Sequence, residues 1–113
     1  MSLTTSLTEF HVLRNSKRTL EEVKSIDVWS SKINEVSLLR RMPALEVISL
    51  SENAIDDRIL EHVCAGCPNL RELYMRKNKL TNIEAMGFLR LLPITHLWFD
   101  DNVSLRLEGG NSL

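Results

Sequence analysis

Residues 45–55 read LEVISLSENAI and residues 70–80 read LRELYMRKNKL, and setting one above the other decides the fold. Both follow apolar-x-x-apolar-x-apolar-x-x-Asn-x-apolar. Leu45, Ile48, Leu50, Asn53 and Ile55 fill the slots in the first, and Leu70, Leu73, Met75, Asn78 and Leu80 in the second. Two further copies flank them. One has Ile94, Leu97, Phe99 and Asn102, with Val103 in place of the apolar residue due at Ser104. The other has Val23, Ile26, Val28 and Ile33, with Ser31 in the Asn slot. The copies begin at 23, 45, 70 and 94, so they are spaced by 22, 25 and 24 residues, and Pro43, Pro68 and Pro93 punctuate them at intervals of 25.

A period in the twenties with this leucine and asparagine pattern is that of a leucine-rich repeat. The expected fold is an α/β solenoid, a right-handed β-α superhelix of about four repeats with an N-terminal helical cap. One repeat cannot bury its apolar face, but stacked neighbours share a continuous core. Residues two apart on a strand point the same way, so the second and third apolar slots face inward. The turn that follows leaves backbone groups without ladder partners. An Asn amide carries both donors and acceptors, so Asn53, Asn78 and Asn102 are expected to form a structural ladder, with Ser31 a partial substitute. The chain divides as a cap (1–22) and repeats 23–44, 45–69, 70–93 and 94–113 of a single domain.

The return segments carry helical spacing. Asp57–Val63 reads as a helix with residues 59, 60 and 63 inward. Glu84–Leu92 reads as another with Met86, Leu89 and Phe88 inward, and Val36, Leu39 and Met42 mark a shorter one. The prolines explain the stops, because Pro disfavours helix at the residue before it. In the cap, residues 5–13 are expected to form an amphipathic helix with Leu7, Phe10 and Leu13 on one face. Thr19-Leu20-Glu21-Glu22 has the form of a capping box. After the fourth repeat no second helix is expected, which leaves an open strand edge: either the chain is a fragment of a longer protein or the edge serves self-association.

Register places the remaining strand residues on the concave face: Ser25, Asp27 and Trp29; Val47, Ser49 and Ser51; Glu72, Tyr74 and Arg76; His96, Trp98 and Asp100. Equivalent positions on neighbouring strands form columns. One reads Asp27, Ser49, Tyr74, Trp98, and the next Trp29, Ser51, Arg76, Asp100. Both tryptophans and the one tyrosine fall here, although aromatic residues are only 5% of the chain. Trp, Tyr and Arg dominate interface hot spots, so this face is the candidate partner-binding site. The competing reading makes Trp29 and Trp98 cap residues folded over the sheet ends.

The chain has 113 residues, 43% hydrophobic and 26% charged, with a net charge of -1. That balance suits one globular core and gives no general nucleic-acid or membrane binder. No apolar run reaches the roughly 20 residues of a membrane span, and the polar N-terminus lacks a secretory signal. Two cysteines in that setting imply free thiols and a cytoplasmic location.

Catalytic signals are weak. Cys64-Ala65-Gly66-Cys67 has redox or metal spacing. It falls at a helix C-terminus, however, where the dipole opposes a low thiol pKa, and His62 would bring zinc only to three ligands. His11, His62 and His96 are scattered. The acids at Asp56-Asp57 and Asp100-Asp101 sit in turns, where carboxylates cap backbone groups. Arg76-Lys77-Asn78-Lys79 is a small basic patch able to meet an acidic partner, but such a run is more often a solvated turn, and acidic residues nearby offset it. Asn102-Val103-Ser104 fits a glycosylation pattern, but Asn102 belongs to the buried ladder. The expectation is a non-enzyme with no metal and no cofactor.

The residues carry a resemblance. Trp29 with Ser31 and Ile33, the run Met42-Pro43-Ala44-Leu45-Glu46-Val47-Ile48-Ser49-Leu50-Ser51, the run Arg71-Glu72-Leu73-Tyr74-Met75-Arg76-Lys77-Asn78, and Leu97-Trp98 resemble the cilium- and basal-body-associated family. That family lies within the SDS-twenty-two-like class of leucine-rich-repeat proteins. Leu7-Thr8 and Val12-Leu13 are similar too, so the likeness covers most of the chain. The family continues into a C-terminal cap and a separate helical region without counterpart here. The resemblance implies a scaffold at the base of the cilium or flagellum, in the cytoskeleton or basal body. Its implied partners are ciliary or basal-body proteins or a kinase. The class also contains a protein phosphatase 1 regulatory subunit, which gives one alternative function. A thiol or zinc protein using the CxxC pair is the other.

Overall fold

Each copy of the pattern places one short strand in a single parallel sheet. The computed structural model describes residues 3–82 and 84–102. The strands are β1 (Ser25–Asp27), β2 (Val47–Ser49), β3 (Glu72–Tyr74) and β4 (His96–Trp98), hydrogen-bonded in chain order. Register aligns Ile26, Ile48, Leu73 and Leu97 across the sheet. The first three are buried, with Ile48 and Leu73 fully enclosed, while Leu97 at the β4 end is 43% exposed. Among the described residues β4 has β3 as its one strand neighbour. The expected open edge after the fourth repeat, and the Val103 and Ser104 slots, lie outside the described residues.

The return segments differ in helix type, and their apolar spacing explains why. Between β2 and β3 runs an α-helix (Arg58–Gly66) with Ile59, Leu60 and Val63 buried. The other two returns, Ser37–Arg41 and Glu84–Leu91, are 3₁₀ helices. Their inward residues are Val36, Leu39 and Met42, and Met86 and Leu89 with half-buried Leu92, each three apart. A strict spacing of three stays on one face only at three residues per turn; at 3.6 it drifts around the helix. Phe88 lies off that stripe and is 63% exposed, so its expected inward placement is corrected. The α-helix packs between the two 3₁₀ helices. Gly66 allows this contact: a Cβ there would stand 2.4 Å from Arg40 Cα and 2.9 Å from Leu39 O.

The asparagines tie each turn to the previous repeat. Asn53 Oδ1 accepts from Ser31 N at 2.9 Å and Ile33 N at 3.1 Å, while Nδ2 donates to Val28 O and Leu50 O, both at 2.9 Å. Asn78 accepts from Ile55 N and donates to Leu50 O and Arg76 O. Asn102 accepts from Asn78 N and Leu80 N and donates to Met75 O. Ser30, Glu52, Lys77 and Asp101 each immediately precede the asparagine or serine of this slot, and each has φ between 50° and 61°. A non-glycine residue in that left-handed region costs about 1–2 kcal/mol, so the amide network holds a backbone that would otherwise relax.

The N-terminal segment departs most from expectation. The α-helix covers only Glu9–Leu13 and buries none of its own residues. The preceding chain is extended. Leu7 N donates to Glu35 O at 2.8 Å, Thr5 O accepts from Asn34 N at 2.9 Å, and Ser6 bridges Glu35. Leu7 is therefore buried by pairing with the first repeat, not by a helix face; Phe10 is 80% exposed and Leu13 half-buried. Backbone pairing at residues 5–7 outweighs their helical periodicity, and Thr8 then caps the helix by accepting from His11 N. At Thr19 the expected box forms: Glu22 Oε1 accepts from Thr19 N at 3.0 Å at the start of a one-turn 3₁₀ helix, Leu20–Glu22.

Candidate protein-binding face

The outward residues of the four strands stand in register. Asp27, Ser49, Tyr74 and Trp98 form one row, and Ser25, Val47, Glu72 and His96 another. Trp29, Ser51, Arg76 and Asp100 occupy equivalent places just past the strands, where Ser30 N donates to Ser51 O, Glu52 N to Arg76 O and Lys77 N to Asp100 O. Trp29 is 63% exposed and Trp98 49% exposed, so neither is folded over a sheet end as a buried cap.

The aromatic residues are held in place. Tyr74 and Trp98 meet edge to face, with ring centroids 6.4 Å apart and planes at 63°. The Arg76 guanidinium lies 4.9 Å above the Trp98 ring, a cation–π contact, while its Nε donates to Asp100 at 3.1 Å and its terminal nitrogen to Asp101 at 3.4 Å. Trp29 Nε1 donates to Glu52 Oε2 at 2.7 Å. The Tyr74 hydroxyl donates to Glu72, which pushes the phenol above its ordinary pKa. Rigid aromatic side chains with few rotors left to freeze are suited to binding, because little ordering remains to be done on contact.

Asp27, Trp29, Ser49, Ser51, Glu52, Tyr74, Arg76, Lys77 and Trp98 enclose an open depression of about 510 Å³. Glu52 was not anticipated from the sequence, and Lys77 and Asp101 were expected as turn residues, Asp101 without its pairing to Arg76. Each occupies the left-handed turn position. The recurring offset, one residue past the outer row, was the available signal. A second hollow of about 400 Å³ adjoins at Trp29, which it shares, and is lined by Phe10, His11, Arg14, Asn15, Val28 and Ser31.

The convex side offers less chemistry. Cys64 Sγ is directed at Phe88 O and Cys67 Sγ at Leu39 O, so the two thiols address different neighbouring helices. Burial pushes Cys67 up to about 12 and raises Cys64 as well, the reverse of an activated thiolate. His62 Nδ1 accepts from Arg40 Nε at 2.8 Å, and burial followed by the Arg40 charge lowers its pKa. Among the described residues no three His, Cys, Asp or Glu side chains converge as a metal site. The turn acids serve structure. Asp56 accepts from Arg58 N and Asp57 accepts from Thr81 N, while Asp100 and Asp101 pair with Arg76. Among the described residues no helix is long and apolar enough to cross a membrane.

Comparison with known proteins agrees with this architecture. Residues 21–80 match the leucine rich repeat family. An uncharacterized protein of Caenorhabditis elegans is 38% identical over 106 residues, which is 92% of this chain and 22% of that protein. Cilia- and flagella-associated protein 410 of Mus musculus and of Homo sapiens are each 37% identical over 98 residues. That is 85% of this chain and 38% and 37% of theirs. The chain thus spans between about a fifth and two fifths of the length of these curated relatives.

Proposed function

Because this chain belongs to the leucine rich repeat family, we propose that it is a non-catalytic interaction module that binds a protein partner across its concave sheet face. One observation carries the reading. Trp29, Tyr74 and Trp98 share a single face, with Arg76 stacked on Trp98 and both tryptophans about half exposed or more. An exposed aromatic cluster rimmed by charge is the composition of an interface core, and a monomer gains nothing by leaving it bare. The similarity to cilia- and flagella-associated proteins supports a place for this module at the cilium, flagellum or associated cytoskeleton, as part of a scaffold.

The test is affinity capture from the protein's own cells with the parent chain and Trp98→Asp side by side. Trp98 packs on Tyr74 and Arg76 at the surface, so the variant is expected to keep its circular dichroism spectrum while losing the partner. Equal recovery by a folded Trp98→Asp chain would move the site off the concave face. The recovered proteins decide the setting: ciliary, basal-body or kinase components support the scaffold, whereas a phosphatase catalytic chain assigns a regulatory-subunit role.

A further inference from the structure

The charges on the concave face are unequal, and the surplus is negative. Arg76 is already neutralised by Asp100 and Asp101. Glu52 and Glu72 accept hydrogen bonds from Trp29 and Tyr74, neutral donors that leave both carboxylates without a cation. Asp27 is exposed in the aromatic row, and its carboxylate takes part in no hydrogen bond or ion pair among the described residues. Lys77, in the turn at the rim, is the remaining cation of the depression. An occupant therefore meets π faces at Trp29, Tyr74 and Trp98, with uncompensated carboxylates at Asp27, Glu52 and Glu72.

Resting on the concave-face reading, we infer that the partner presents an extended segment with a central Lys or Arg beside an apolar residue. The basic side chain enters the depression against Asp27, with its stem along Trp29 or Tyr74. A cation of this kind gains both from the carboxylates and from the aromatic quadrupoles, whereas an acidic side chain would be repelled by the first and unattracted by the second. Four strands at about 4.8 Å spacing set the row from Asp27 to Trp98 at about 14 Å, the reach of four or five extended residues. The adjoining hollow seats the apolar neighbour against Phe10 and Trp29 at the Asp27 end, with His11, Arg14, Asn15 and Ser31 as its polar wall.

Three pools of acetylated, amidated octapeptides, randomised except for a fixed central Arg, Glu or Leu, test this against the whole chain. Occupancy is read by calorimetric titration, which does not depend on the tryptophan that a variant removes. The Arg pool is expected to bind roughly tenfold more tightly than the Glu pool, and to weaken as salt is raised. Asp27→Asn should remove most of that preference, and Trp98→Ala, which removes the ring without adding a charge, should abolish the signal from every pool. Equal or better binding of the Glu or Leu pool, still lost in Trp98→Ala, would overturn the charge inference and leave the concave site standing. Binding of any pool that survives Trp98→Ala would overturn both. No response from the Arg pool overturns the basic-segment inference, whatever cell-lysate capture shows.

Discussion

At the residue scale the asparagines do more than their repeated position suggests. Asn78 is 4% exposed and satisfies Ile55 N, Leu50 O and Arg76 O at once. Asn78→Ala strands Ile55 N, whereas Leu50 O keeps the Asn53 amide and Arg76 O keeps Glu52 N. A loss of about 1–3 kcal/mol, the cost of one buried unpaired donor, is expected in urea denaturation. Asn53→Ala should cost less because Asn53 is half-buried and water can reach its partners. Equal losses would mean that the amides are not the source of the effect. The thiols separate in a similar way. Cys67 is fully buried with its pKa raised to about 12 from 9.0, whereas Cys64 is partly exposed. At pH 8 a disulfide reagent should label Cys64 slowly in the folded chain and Cys67 only on unfolding. The folded pKa of Cys67 exceeds the unfolded one, so its contribution to stability is complete below pH 9 and is lost as pH rises toward 12. Two equally reactive thiols at pH 8 would contradict that burial.

At the scale of elements, what could be read from the sequence was whatever repeats. Strand positions, the inward stripe, the ladder asparagines and the concave rows all follow from a pattern present in four copies. Single occurrences were harder to read. Residues 5–13 carry helical spacing, yet Thr5 to Leu7 pair with residues 34 and 35, and no local periodicity reports a backbone partner nearly thirty residues away. The choice between α and 3₁₀ was legible in principle, since 36-39-42 and 86-89-92 step strictly by three while 59-60-63 does not. Glu52 escaped notice, and Lys77 and Asp101 were read only as turn residues, because a left-handed turn residue alters where the chain presents its side chain, and composition shows nothing of φ. Gly66 is a further example, placed by a contact rather than a turn. Gly66→Ala would drive a methyl into the backbone at Leu39 and Arg40, which cannot rotate away. A loss of about 1–3 kcal/mol is expected despite alanine's better helix propensity. A neutral or stabilising result would show that the α-helix and the 3₁₀ helix separate freely.

For the whole molecule, a solenoid is a sum of nearest-neighbour interfaces, so its stability should vary along the stack. Leu73 and Leu97 test this because they are the same residue type at the same register position, in adjacent strands. Leu73 is fully buried between neighbours on both sides, whereas Leu97 is 43% exposed. Truncating a buried leucine to alanine costs about 2–5 kcal/mol, through lost transfer energy and the cavity left behind. Leu97 has less area to lose and opens no enclosed cavity. Leu73→Ala is therefore expected near the upper end of that range, and Leu97→Ala at about 1 kcal/mol, with both measured by denaturant unfolding at low protein concentration. The comparison also bears on the concave face, because Trp98 projects from β4 and is only as well placed as that strand. Should Leu97→Ala prove as costly as Leu73→Ala, the β4 end is covered in solution. Repeating the pair across a hundredfold range of protein concentration then identifies the cover. A Leu97→Ala penalty that grows with concentration points to a second copy of the chain at the β4 edge, and a constant one to a contact within the chain.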